Sequence, residues 1–193
     1  MSRILIVCTG NTCRSPMAEA MLRKLSAERE LGVEVRSAGV STVDGLPVSS
    51  NAAAALRKRD VPLPGVSTAM TGREAAWADL ILTMTSGHKR AVVERFPDAA
   101  DKTFTLKEFA LDGDPVMEDV AEAERIFAEW QVRQALGESL PEADRKRLLE
   151  LQRRLPDFDI ADPYGGPPEV YERCADEIAE ALGKLLDKLA RND

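Results

Sequence analysis

The stretch Cys8-Thr9-Gly10-Asn11-Thr12-Cys13-Arg14-Ser15 constrains this chain more than any other, because it joins a strand to a helix through a tight turn. Upstream, Ile4-Leu5-Ile6-Val7 is an unbroken aliphatic run, the pattern of a strand buried on both faces of a parallel sheet. Downstream, Pro16 suits the first helical position, where no amide hydrogen is needed, and that puts Ser15 at the N-cap. A turn of successive backbone N–H groups ending at a helix N-terminus is an anion cradle, and the helix dipole adds to its field. The bound oxyanion then sits directly on Cys8.

Five residues separate Cys8 from Arg14, and each of the two has a task at that spacing. The planar fork of Arg14 can hold two oxygens of a phosphoryl group, which a lysine could not do in the same way. Positive potential at the start of the cradle favours the thiolate, so Cys8 is the expected nucleophile. The Ser15 hydroxyl can donate to that thiolate. Gly10 lets the backbone pass close to the ligand, and Asn11 tolerates a left-handed conformation better than most residues. With Thr9, Thr12 and Cys13 they make up the expected substrate-binding loop.

Further along, strands and helices alternate. Helices are expected at about 16–30, 50–59, 86–95 and 168–190, with strands at Val33-Glu34-Val35-Arg36, Leu80-Ile81-Leu82 and Thr103-Phe104-Thr105. That pattern implies an α/β fold, a parallel sheet covered on both faces with its ligand at the carboxyl ends of the strands. With 193 residues, 44% of them hydrophobic, the chain is long enough for one domain with a substantial core. A net charge of -7 excludes an obligate nucleic-acid or anionic-membrane partner, so an anionic substrate must be held by the local field of the cradle. No run reaches signal-peptide or transmembrane length, and three cysteines without framework spacing suit a reducing compartment; the expected location is cytoplasmic. With one histidine and no clustered cysteines there is no metal motif, and no cofactor is implied.

The cradle matches the signature C-x-G-N-x-C-R-S at every fixed position, and in this the chain resembles the low-molecular-weight protein tyrosine phosphatase family. Ser37-Ala38-Gly39, Met84-Thr85 with His88, and Asp162-Pro163-Tyr164-Gly165-Gly166 extend the resemblance over nearly the whole chain. It implies a three-layer sandwich with a four-stranded parallel sheet in the order 2-1-3-4, and a phosphocysteine intermediate. Cys8 would be the nucleophile, Arg14 the phosphate clamp and Asp162 the general acid and base, with Tyr164 beside the substrate. Alone, Asp-Pro-Tyr-Gly-Gly reads equally as a surface turn, but the cradle's chemistry demands a second element bearing a carboxylate. The resemblance also implies that His88 braces the loop by hydrogen bonding; capping a helix and direct catalysis are the other roles open to it. Cys13 either forms a reversible disulfide with Cys8 or packs behind the loop, and Cys174 is expected as a small buried hydrophobe.

A departure from the family lies at about 111–156. Val116, Val120, Ala123, Phe127 and Trp130 recur at spacings of four, three, four and three, and Leu148, Leu151 and Leu155 follow on a second helix. Seven acidic residues and one basic lie between 112 and 129, against three acidic and five basic between 142 and 154, which suits an antiparallel hairpin. Such an insertion serves as a lid, a docking surface or a dimer contact near Asp162, or is a tolerated surface addition. Both a monomer and a weak dimer fit the sequence.

Thr12 stands where tyrosine-directed relatives usually carry an aliphatic residue, and Cys-Thr-Gly-Asn-Thr-Cys-Arg-Ser looks like bacterial protein-arginine phosphatases. A hydroxyl there suits a guanidinium better than a phenyl ring, because a polar leaving group left without a partner costs about 1–3 kcal/mol. Tyr164 is followed by Gly165 rather than a second aromatic, which leaves one wall for a slimmer side chain. Phosphoarginine in proteins is therefore the expected substrate and phosphotyrosine the alternative. An arsenate reductase would need relay cysteines that Met84 to Arg90 lacks. A non-catalytic phosphoprotein-binding module would have no use for Asp162.

Overall fold

A computed structural model of the protein describes residues 2–192. Its strands are β1 (Ser2–Cys8), β2 (Val33–Gly39), β3 (Leu80–Thr83) and β4 (Thr103–Thr105), all parallel, in the order β2-β1-β3-β4. The helices are α1 (Arg14–Glu28), α2 (Ser50–Lys58), α3 (Gly72–Trp77), α4 (Ser86–Arg95), α5 (Leu106–Leu111), α6 (Val116–Ala135), α7 (Glu142–Gln152) and α8 (Pro168–Asn192). The chain divides into two compact units. One contains the residues up to Ala110 and those from Phe158 onward; the other is Leu111–Asp157.

Successive side chains of a strand point to opposite faces, and β1 shows why its aliphatic run is unbroken. Ile4, Ile6 and Cys8 enter a core with Met17 and Leu22 of α1, Leu56 of α2 and Ile178 and Leu182 of α8. Leu5 and Val7 enter a second core with Met70, Ala75 of α3, Ile81 and Val92 of α4. The sheet is thus the middle of three layers, as the alternating pattern implied. Two short helices and a 3-10 turn at Pro97–Lys102 went unread. For α3 the signal was present: Thr71 and Glu74 form a reciprocal capping box around its first turn.

One expected boundary is corrected. Helix α1 begins at Arg14, with Cys13 as its N-cap and no side chain closing the first turn. Ser15 is therefore not the cap, and Pro16 is the third helical residue rather than the first. The ladder opens with the Met17 N–H donating to the Cys13 carbonyl at 3.2 Å, while the Ser15 hydroxyl is engaged elsewhere.

In the second unit, α6 and α7 bury a small core of Ala123, Ile126 and Leu151, with Leu140, Leu148 and Leu155 packed against it. The expected stripe is rotated. Ile126 is buried, whereas Phe127 and Trp130 remain 43% and 37% exposed and pack edge to face on each other at 5.4 Å. Helix α7 offers one buried leucine and meets the face centred between Ala123 and Ile126, so the flank that carries Phe127 extends past it. The opposed charges do pair, Glu122 with Arg147 and Asp119 with Arg154 at 2.8 Å. Among the described residues no helix is long and apolar enough to cross a membrane.

Candidate active site

Cys8 is the last residue of β1, and the loop that follows folds back over its sulfur. The Asn11 N–H donates to Sγ at 3.3 Å, and the Ser15 Oγ lies 3.0 Å from it. Asn11 has φ 52°, the left-handed conformation its short polar side chain tolerates, and that side chain is fully used. Nδ2 donates to Ser15 Oγ at 2.9 Å and to Ser37 Oγ at 2.8 Å, while Oδ1 accepts the Thr68 N–H at 2.8 Å. Because Ser15 accepts from Asn11, its own proton is left for the Cys8 sulfur. Behind this, Ser37 donates to the buried carboxylate of Glu19, which pairs with Arg23 at 2.6 Å.

The N-termini of α2, α3 and α4 are each closed by a side-chain oxygen, from Ser49, Thr71 and Thr85. That of α1 is not, so its first-turn amides have no side-chain oxygen to accept them and complement an anion instead. Gly39 makes the close approach of β2 to this loop feasible. A Cβ there would lie 2.6 Å from the Thr9 carbonyl oxygen and 2.8 Å from Thr42 Cγ2. Gly10 has no positive φ, and a Cβ there would meet Thr12 Oγ1 at 3.5 Å, an ordinary contact, so the backbone here does not demand glycine.

Arg14 is buried, and its fork meets the segment that carries Asp162. Nη1 donates to the Ile160 carbonyl at 3.1 Å and Nη2 to Asp162 Oδ2 at 2.7 Å. The other carboxylate oxygen, Oδ1, accepts the Tyr164 N–H at 3.1 Å, which fixes the turn. That segment is fastened to the end of β3, with the Ile160 N–H on the Met84 carbonyl at 2.8 Å and the Ser86 N–H on Asp159 Oδ1 at 2.7 Å. Residues 148 positions apart in the chain are thereby brought to one point.

His88 lies against the loop, its Nε2 2.8 Å from Thr9 Oγ1 and its Nδ1 2.9 Å from Thr85 Oγ1. Burial, followed by the charge of Arg14, pushes its pKa down to about 4. On the inner side, the Cys13 thiol donates to Ser49 Oγ at 3.3 Å and lies 3.6 Å from the Tyr171 hydroxyl. Burial pushes Tyr171 up to about 12, with Cys13 adding to the effect. All three cysteines are free thiols. Cys174 is buried beneath the Asp162 segment, with its S–H on the Ala161 carbonyl at 3.6 Å, and burial pushes its pKa up to about 12. It is thereby an inert packing group rather than a reactive one.

Above the loop opens a cavity of about 220 Å³ lined by Cys8, Thr9, Gly10, Thr12, Cys13, Arg14, Asp162 and Tyr164. Tyr164 is its one aromatic wall. Asn11 and Ser15 stand behind the lining and act through their hydrogen bonds. Glu19, Ser49 and Tyr171 were not foreseen here, and Ser37 and Thr85 were picked out only as parts of matching motifs, since the contacts they make depend on how β2, α2, α4 and α8 pack around α1. A roomier cavity of about 480 Å³ beside α1, among Ala20, Lys24, Ala27 and Leu63, is lined by no cysteine, serine, threonine or histidine. Among the described residues no group of three or more His, Cys, Asp or Glu side chains is arranged to hold a metal ion.

Comparison with known proteins agrees with this geometry. The family model described as low molecular weight phosphotyrosine protein phosphatase matches residues 3–131. A protein-arginine-phosphatase of Geobacillus stearothermophilus is 37% identical, over 97% of this chain and 95% of its own length. One from Bacillus subtilis is 32% identical, over 98% of this chain and 97% of its own. A solved YwlE arginine phosphatase mutant with a phosphorylated active site serine superposes with a TM-score of 0.73 at 30% identity, covering 97% of this chain and 95% of that one.

Proposed function

This chain belongs to the low molecular weight phosphotyrosine protein phosphatase family, and on that footing we propose that it is a protein phosphatase that removes phosphate from arginine side chains through a phosphocysteine intermediate. Cys8 is the nucleophile. Its thiolate, steadied by the Ser15 hydroxyl, the Asn11 N–H and the start of α1, attacks phosphorus in line with the leaving group. The P–N bond breaks as S–P forms, and Asp162 gives its proton to the departing guanidine nitrogen. The Asp162 carboxylate then takes a proton from water, the hydroxide oxygen attacks phosphorus, and the S–P bond breaks to release phosphate and restore the thiolate. Arg14, already beside Asp162, clamps the equatorial oxygens in both steps.

The observation that carries the choice of substrate is the Thr12 hydroxyl in a cavity with a single aromatic wall. Tyr164 is followed by Gly165 at φ 74°, a turn with no second ring. Of the relatives aligned end to end, two are named for arginine phosphate, one of them at 37% identity, and others, at up to 34%, for tyrosine phosphate. A phenyl ring would offer the hydroxyl nothing beyond the Cys13 sulfur 3.7 Å away, whereas a guanidinium adds a polar, charged partner. The substrate in this reading is a phosphorylated protein in the cytoplasm, met by one phosphatase domain into which the 111–156 hairpin is inserted. Turnover of phosphoarginine and phosphotyrosine peptides measured side by side in one buffer tests the assignment. A kcat/KM higher for phosphoarginine is expected. A preference for phosphotyrosine would move the chain to the tyrosine-directed branch that the family name describes.

A further inference from the structure

Hydrogen-bond direction around His88 can be worked out atom by atom. Thr85 Oγ1 caps α4 by accepting the His88 backbone N–H at 3.2 Å. Its own proton then needs an acceptor, and the atom within reach is His88 Nδ1 at 2.9 Å. An imidazole that accepts at Nδ1 while neutral carries its proton on Nε2. Nε2–H points at Thr9 Oγ1, 2.8 Å away, and makes that oxygen an acceptor. The proton of the Thr9 hydroxyl is then directed away from the ring, and Thr9 lines the cavity that contains Cys8 and Arg14.

We propose that His88 is a positioning residue: held as the Nε2–H tautomer by Thr85, it turns the Thr9 hydroxyl into a fixed donor to the oxyanion in the cradle. The proposal rests on the phosphatase reading for its purpose, though not for its test. Thr9 adds a side-chain donor to the backbone amides of the loop, oriented before the ligand arrives, so no reorganisation is needed at the moment of binding. Arg14 disfavours a charge on the ring, while Asp162 and Asp159 pull the other way; with burial dominant, the ring remains neutral across the physiological range.

The chain has one histidine, so its ring nitrogens give a single assignable pair of signals in the full-length protein labelled with 15N-histidine. The Nε2–H tautomer is expected at pH 7 in the resting enzyme. Inorganic phosphate is then titrated into the wild type and four variants, followed by amide shifts. Thr9→Val and His88→Leu should weaken phosphate binding by about tenfold, the effect of losing one hydrogen bond to a charged group. Thr9→Ser and His88→Gln, which restore a hydroxyl and a side-chain N–H, should recover most of it. The Nδ1–H tautomer, or phosphate binding in Thr9→Val equal to wild type, would overturn the proposal even if peptide dephosphorylation is intact. Should His88→Leu not fold, the tautomer and the Thr9 pair still decide. Absent turnover with the expected tautomer and the expected loss in Thr9→Val would fault the phosphatase reading and leave this one standing.

Discussion

Thr12 differs from an aliphatic neighbour by one oxygen, and the substrate assignment turns on it. Thr12→Ile should lower kcat/KM for phosphoarginine peptides by about tenfold and spare or raise that for aryl phosphates. An unchanged ratio of the two would remove the main support for arginine. Asp162→Asn separates the substrates by another route. A phenol leaves with a conjugate-acid pKa near ~10 and a guanidine above about 12, so the loss should be larger for phosphoarginine peptides. His88 gives a prediction about folding. Its pKa is about 4 in the native chain and ~6.5 when unfolded, so between those values the unfolded state binds the extra proton. The stability this contributes is present above about pH 6.5 and is lost as pH falls toward 4, on the order of 3 kcal/mol in all. Urea melts of His88→Asn should show a flatter dependence over that window than the wild type. At this scale the sequence was largely readable. Cys8, Arg14 and Asp162 meet in one cavity because their spacing and motifs encode it. Ser15 was misread as a cap because a serine before a helical proline looks the same whether its hydroxyl serves an amide or a thiolate.

Among the elements, β1 and the loop after it carry most of what could be foreseen, since a buried strand and a phosphate turn are both written in consecutive residues. What could not be foreseen comes from elements distant in sequence. Ser37 and Gly39 reach the loop from β2, Thr85 from the start of α4 and Tyr171 from α8. Ser37, Gly39 and Thr85 lie in motifs that the resemblance picks out, but nothing local assigns them to the loop, and no pattern marks Tyr171. Gly39 is the sharpest case, because any side chain there meets backbone that cannot yield. Gly39→Ala should therefore cost activity disproportionately to stability, through displacement of Thr9 and Asn11, and kcat/KM beside the melting temperature checks this. The hairpin failed differently. Two helical phases one residue apart fit its sequence almost equally, and the short α7 selects the one that buries Ile126. Ile126→Ala should destabilise that unit by about 2–4 kcal/mol and Phe127→Ala by much less, read as local amide exchange in 117–152.

For the whole molecule, Leu111–Asp157 forms a compact unit with its own core and the sheet unit forms another, and the proposal that the hairpin is an insertion can be tested directly. Replacing 112–156 by a short glycine-serine linker should leave the rest to fold and melt cooperatively. Loss of cooperative melting would tie the two together. The sheet unit cannot be shortened at its other end. Ile178, Leu182, Leu185 and Leu186 of α8 complete the core that β1 begins, and Ile160 and Asp162 hold Arg14. During synthesis Cys8 and Arg14 leave the ribosome well before Ile160 and Asp162. A nascent chain therefore displays the thiol and the guanidinium while the groups that hold Arg14 are still to be made.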